Sequence, residues 1–163
     1  MIAKITLLDR SLANLRAAYR TLDDITDDTD VDIAAYNAQQ CLELAIKYAI
    51  TMKGKKYTPS HLLDDLWDDL MDDEIQELVQ GMDINIDNWG TTARYKLSIN
   101  SSINQVKEVL MVCEKILDII KDKYVPSNLS ICDGCGATVV LNRLQEQHTH
   151  TVEKSGEDSG EKN

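Results

Sequence analysis

Phenylalanine is absent from the 163 residues, and aromatic residues together make up 5% of the chain. That scarcity disfavours a sheet that stacks nucleobases on aromatic side chains, as RNA-recognition folds do. No apolar run approaches the roughly 20 residues needed to cross a bilayer, so no membrane span is expected. Met1-Ile2-Ala3-Lys4 leads straight into a charged helical pattern without a signal-peptide core or cleavage site, and the expected compartment is the cytoplasm. Positive charge is also scarce: 17 Lys and Arg stand against 28 Asp and Glu, a net charge of -11. Such a surface repels a polyanion at long range, which argues against broad non-specific nucleic-acid binding and leaves only a local basic site.

The chain has four cysteines. Cys41 and Cys113 fall on apolar helical faces and read as small core residues. Cys132 and Cys135 form a CxxC pair, which in a reducing compartment points to metal before disulfide. The length suits one domain with a real core and a small appendage.

Ile5, Leu8, Leu12, Leu15, Tyr19 and Leu22 alternate steps of three and four residues, which predicts an amphipathic helix over about 3–22. The acidic connection that follows offers Thr29 or Asp30 as the cap of a second helix. In that helix Ala34, Ala38, Cys41, Ala45 and Met52, widened by Leu42, Leu44, Ile46 and Ile50, place apolar residues over well over half the circumference, so it should be central. Gly54 is placed to end it in the left-handed conformation, and Thr58-Pro59 to cap and open the next helix. Leu62, Leu63, Leu66, Trp67 and Leu70 make that helix short and amphipathic, with a ladder of aspartates from Asp64 to Asp73 that reads as a solvated face. Ile75, Leu78 and Val79 continue in a second short piece ended by Gly81, and residues 82–100 show no clear period.

Asn100 or Ser101 is expected to cap a last long helix in which Ile103, Val106, Leu110, Cys113, Leu117, Ile120 and Tyr124 hold the three-four spacing until Pro126 stops it. The class implied is all-α: an up-and-down helical bundle over 1–125, a small CxxC unit over 126–150 and a disordered polar tail over 151–163. The central helix looks too apolar for one bundle to cover, so a homodimer is expected.

The densest polar constellation lies on and just after the central helix: Asn37, Ala38-Gln39-Gln40, Glu43, Lys47, Lys55-Lys56 and His61-Leu62. This ordered set resembles the second helix of HEPN domains and the turn that follows it. Arg94-Tyr95 is similar to the Arg-Tyr preceding the last helix in one large branch of that family, so the resemblance covers about 5–124. It implies a HEPN-like helical bundle and a role among ribonucleases, partners of minimal nucleotidyltransferases and proteins without known activity. His61, with Lys53, Lys55, Lys56 and Arg94, and with Lys47 nearby on the helix, is a candidate phosphate- or nucleotide-binding group. The bland alternative is that His61 donates to a carbonyl or an acidic neighbour, that Glu43 and Lys47 are a favourable pair four apart, and that the glutamines cross-link helices.

Cys132-Asp133-Gly134-Cys135-Gly136 has knuckle spacing, with His148 and His150 after it at gaps of two, twelve and one residues. A structural zinc on Cys132, Cys135 and one or both histidines is the expectation, although the last gap is shorter than a Cys2His2 finger uses. Arg143 and His148 have the Arg-to-His spacing of catalytic HEPN ribonucleases but lie in the appendage, and within the bundle Arg94 is followed by no histidine through Tyr124. The expected function is a non-catalytic, homodimeric binding or regulatory subunit that engages a partner protein such as a nucleotidyltransferase, a nucleotide or nucleic acid. The rival expectation is a HEPN ribonuclease of a toxin-antitoxin or defence system.

Overall fold

The first helix, α1 (Leu7–Asp23), opens on a capping box: the Thr6 hydroxyl accepts the Asp9 N–H at 3.2 Å and the Asp9 carboxylate accepts the Thr6 N–H. The computed structural model describes residues 6–90 and 101–126, and the backbone of 129–131 and 138–140. A four-residue acidic turn then reverses the chain into α2 (Asp28–Met52). Its cap is Asp27, not Thr29 or Asp30: the extended backbone at Asp27 lets its carboxylate accept Thr29 N–H at 2.8 Å and Asp30 N–H at 3.3 Å. Asp30 completes a capping box as the third helical residue by accepting Asp27 N–H at 3.3 Å, and it also accepts the Thr26 N–H and hydroxyl, both at 2.7 Å.

Gly54 ends α2 as expected, at φ +75°. The Gly54 N–H donates to Thr51 O at 2.9 Å and the Lys55 N–H to Ile50 O at 3.3 Å, the paired bonds of a Schellman motif. Thr58-Pro59 does not open a helix. Thr58 instead gives its N–H and hydroxyl to Asp69, at 2.7 and 2.8 Å, which folds the 53–62 segment back along the next element. That element is a 3-10 turn, Leu63–Leu66, running into a single α turn, α3 (Trp67–Leu70). Asp87 caps it from elsewhere in the chain, accepting Leu63 N–H at 2.8 Å. Met71 closes α3 at φ 50°, a left-handed position held by a non-glycine residue.

The helix α4 (Asp73–Gln80) is capped by Asp72 and ends at Gly81. A further helical turn begins at 87, with Ile86 and Trp89 buried. Last comes α5 (Ile103–Lys123), whose cap is Ser102 through a capping box with Gln105, one residue beyond the expected Ser101. The expected stripe is buried from Val106 to Ile120, joined by Val109 and Ile116, while Ile103 stays 39% exposed.

The fold is the expected all-α bundle. Between α1 and α5 runs α2, with Ala34, Ala38, Cys41, Leu42, Ala45, Ile46 and Ile50 fully buried. Small residues at 34, 38, 41 and 45 let both neighbours approach closely. One chain therefore covers the central helix, and the motive for a second copy given by its apolar width is removed. Among the described residues, the large apolar side chains left exposed include Ile33, Met71 and Met111.

The aspartate ladder is not merely a solvated face. Asp64 accepts Trp67 Nε1–H at 3.1 Å, Asp65 accepts the Ser60 hydroxyl, and Asp69 holds Thr58. Asp72 accepts the Ile75 N–H at 3.2 Å, the Tyr124 hydroxyl and Lys123 Nζ at 3.3 Å, fastening α4 to the end of α5. Beyond the bundle, β1 (Leu129–Ile131) pairs antiparallel with β2 (Thr138–Val140), Ser130 opposite Val139. The periodicity did not predict this hairpin. Cys132 and Cys135 fall in its six-residue connection, outside the described residues.

Candidate functional site

Gln39 and Gln40 stand four and three residues before Glu43, and Lys47 four after it, so α2 brings all three within reach of Glu43 from neighbouring turns. Glu43 is 1% exposed, and a carboxylate so buried must be compensated by donors. Its Oε1 accepts from Lys47 Nζ at 2.8 Å and pairs with His61 Nδ1 at 2.9 Å. Its Oε2 accepts from Gln39 Nε2 at 3.2 Å and Gln40 Nε2 at 3.1 Å. These four contacts match the roughly four lone-pair sites of a carboxylate, so Glu43 is saturated. Burial pushes its pKa up, but the hydrogen bonds from Lys47, His61 and Gln39 and the charge of Lys47 outweigh that and hold it below the ordinary range.

Around this node the second layer is equally tight. Gln40 Nε2 also donates to Gln39 Oε1 at 2.6 Å, and Gln39 Nε2 donates to the His61 backbone carbonyl at 3.1 Å. The loop is thus tied to α2 through both the ring and the main chain of His61. The Lys47 ammonium lies 5.1 Å from the centroid of the Tyr57 ring, a second cover for its charge. Gly90 is pressed against Gln39: a Cβ there would come within 2.6 Å of the Gln39 carboxamide. The absence of a side chain at 90 is what lets the 87–90 turn close over the network.

Among the predicted site residues, Lys47 and His61 are brought together, by sharing Glu43 Oε1. Lys47 is buried and its charge is matched by Glu43, so it adds no net positive charge. His61 is not in the first turn of a helix and its Nδ1 is turned to Glu43. Its side chain is 53% exposed, so it is the part of the network that meets solvent. The lysines after Gly54 do not gather around it. Lys53 Nζ donates to Leu70 O and to Met71 O at 3.3 Å, and Lys55 Nζ to Asp69 O and Met71 Sδ, each at 3.4 Å. They neutralise the carbonyl end of α3, a task the sequence pattern did not reveal. Lys56 is exposed. Arg94, Cys132, Cys135, Arg143, His148 and His150 lie outside the described residues.

Sequence reasoning missed Tyr57 and Gly90. A lone glycine in an aperiodic stretch is a signal of close approach that could have found Gly90; nothing in the spacing marks Tyr57 as a cover for Lys47. Beside the 3-10 turn, Leu63, Asp64, Val79, Met82, Ile86 and Asp87 help line a cleft of about 320 Å³. The Asp87 carboxyl is raised by burial and by Asp64 and Asp65. Among the described residues no group of three or more His, Cys, Asp or Glu side chains could hold a metal, and no helix is long and apolar enough to cross a membrane.

The arrangement offers one half-exposed imidazole held by a saturated carboxylate on the central helix of a bundle. No curated protein and no solved structure matches the sequence. The family model of the HEPN domain matches residues 6–123, which spans α1 to the end of α5 and includes the Glu43–His61 network. On that match over most of its length, the chain belongs to the HEPN domain family.

Proposed function

We propose that this HEPN protein is a non-catalytic binding or regulatory subunit that engages a partner protein such as a minimal nucleotidyltransferase, or its nucleotide or nucleic-acid ligand. Family membership supports the broader part of this, a nucleotide- or RNA-related or regulatory role. The observation that favours the non-catalytic reading is the saturation of Glu43. A carboxylate holding Lys47, His61, Gln39 and Gln40 is committed to positioning and is a poor acceptor for a substrate proton. The sequence adds that no histidine follows Arg94 within the bundle. A structural zinc on Cys132, Cys135 and at least one of His148 and His150 belongs to the same proposal, as do Lys56, His61 and Arg94 as the ligand-facing groups; of the other two lysines expected there, Lys47 is engaged by Glu43 and Lys55 by the end of α3.

One observation favours the ribonuclease alternative: an exposed imidazole backed by a carboxylate is the arrangement of a general base. The two readings separate on mixed cellular RNA. Zinc-loaded and metal-free wild type, with Arg94→Ala, His61→Ala and His148→Ala, are incubated with the RNA, and metal content is measured on the same samples. No cleavage by wild type, with about one zinc per chain in protein purified without added metal, is the expected result. Cleavage lost in His61→Ala would make the Glu43–His61 pair an active site and end the non-catalytic reading. Cleavage lost in His148→Ala would move catalysis to the appendage and also remove zinc from that histidine.

A further inference from the structure

The function proposed above leaves two buried nucleophiles unused. Cys41 on α2 and Cys113 on α5 are both free and fully buried. The Cys113 thiol donates to Ala38 O at 3.6 Å. Ala38 is one helical turn before Cys41, and a helical side chain leans toward the turn N-terminal to its own Cα. The Cys113 sulfur therefore sits on the patch that the Cys41 side chain covers. On its other side, Cys41 Sγ lies 3.4 Å from the Ser11 hydroxyl, which donates to Cys41 O at 2.6 Å, so α1 pins the Cys41 turn in place.

Helix axes pack roughly 8–10 Å apart and Cα atoms lie about 2.3 Å from each axis, so facing Cα atoms approach to roughly 3.5–5.5 Å. That range overlaps the ~4.4–6.8 Å that a disulfide spans. The alanines around Cys41 on α2 favour a close crossing, and the two residues face one another across it.

We infer that Cys41 and Cys113 are a modification site: a buried dithiol that a low-molecular-weight disulfide or diamide converts to a covalent link between the central and last helices of the bundle. With oxidised glutathione, the Cys41 thiolate attacks one reagent sulfur, giving a mixed disulfide and releasing one glutathione thiolate. The Cys113 thiolate then attacks the Cys41 sulfur and expels the second glutathione thiolate. Two protein thiols are oxidised to one S–S bond, one glutathione disulfide is reduced to two thiols, and the two protein protons pass to solvent or the leaving thiolates. The order follows from the surroundings. In the closed bundle the Cys113 thiol and Ser11 hold the Cys41 thiol below its ordinary value and burial pushes the Cys113 thiol up; when α5 moves away, Ser11 on α1 remains beside Cys41. Because both sulfurs are fully buried, the first step waits on a local separation of α5 from α2.

The test uses the full chain. Wild type and a Cys132→Ser/Cys135→Ser variant are exposed to diamide or oxidised glutathione across urea concentrations from zero to the unfolding midpoint. Remaining thiols are blocked, and the products are read by intact mass and peptide mapping. The expected product is a linked pair of peptides containing Cys41 and Cys113, reversed by dithiothreitol and absent from Cys41→Ala. Its loop of about 70 residues should raise the melting temperature on the order of 10 °C. Mapping of the wild type decides the matter alone if the alanine variant does not fold. Recovery of Cys41 and Cys113 only as separately blocked or separately glutathionylated peptides at every urea concentration would overturn the inference, as would a link confined to Cys132 and Cys135.

Discussion

Glu43 and Asp72 are both nearly buried carboxylates with depressed pKa values, yet they do different things with the same chemistry. Asp72 spends its oxygens on the Ile75 N–H, Lys123 and the Tyr124 hydroxyl, which join the start of α4 to the end of α5. Lys123 reaches on to Glu74, and Lys53 from the end of α2 lies 6.0 Å from the Tyr124 ring centroid. That node is a joint between elements. Glu43 draws three of its four partners from its own helix, where the spacing of α2 delivers them, and the fourth is a half-exposed histidine from a loop. A carboxylate supplied mostly from within one helix can present a group to solvent; one whose partners lie on two helices holds them together.

Removing the charge at each node measures that difference. Glu43→Gln should cause the largest loss, about 3 kcal/mol in urea unfolding, because Lys47 is left buried without its counter-charge. A loss under about 1 kcal/mol would mean that Tyr57 and solvent suffice to hold the ammonium. Asp72→Asn should cost less, about 2 kcal/mol, since an amide oxygen still accepts from Ile75 while Lys123 is 39% exposed and turns to water. Equal losses in the two variants would erase the distinction between a buried ion pair and a joint.

Both carboxylates have folded pKa values below their ordinary ones, 4.5 for Glu43 and 3.8 for Asp72. The stability each contributes is present above the ordinary value and is lost as pH falls through the lower folded value. Acid titration of unfolding free energy should therefore decline below about 4.5, with a shallower slope in Glu43→Gln and in Asp72→Asn.

The smallest effect sharpens the picture of the Glu43 node. In Gly90→Ala the new methyl group meets the Gln39 carboxamide, which is fully buried and hydrogen-bonded, so it displaces part of the network. Better helix propensity returns about 1 kcal/mol, leaving a net loss of about 1 kcal/mol. A stabilised Gly90→Ala would show that Gln39 moves aside freely, and the node would then be looser than its hydrogen bonds imply.

The stripes of α1, α2 and α5 were legible because burial on one side of a helix writes a three-four period directly into the chain, and Gly54 because only glycine takes φ +75° without cost. The caps of α2 and α5 were read within a few residues of their true places, whereas Thr58, read as a cap, binds Asp69 instead. In an acidic run such as Asp27-Asp28-Thr29-Asp30 several side chains can cap, and the choice falls to whichever residue takes the extended backbone. The polar set on α2 was legible as a set, since Glu43 and Lys47 are local partners. Its closure was not: His61, Tyr57 and Gly90 reach it from loops whose paths carry no period.

By itself, then, the sequence determined three long helices, their apolar faces and the membership of a polar cluster, all consequences of contacts within a few residues along the chain. Only the tertiary structure decided that Lys53 and Lys55 serve the end of α3 instead of His61, that Asp87 caps a turn 24 residues away, and that Cys113 lies on the Cys41 turn. The reason is the same in each case. A long-range contact depends on where two segments come to rest, and that is settled by packing the whole core, which no local spacing encodes.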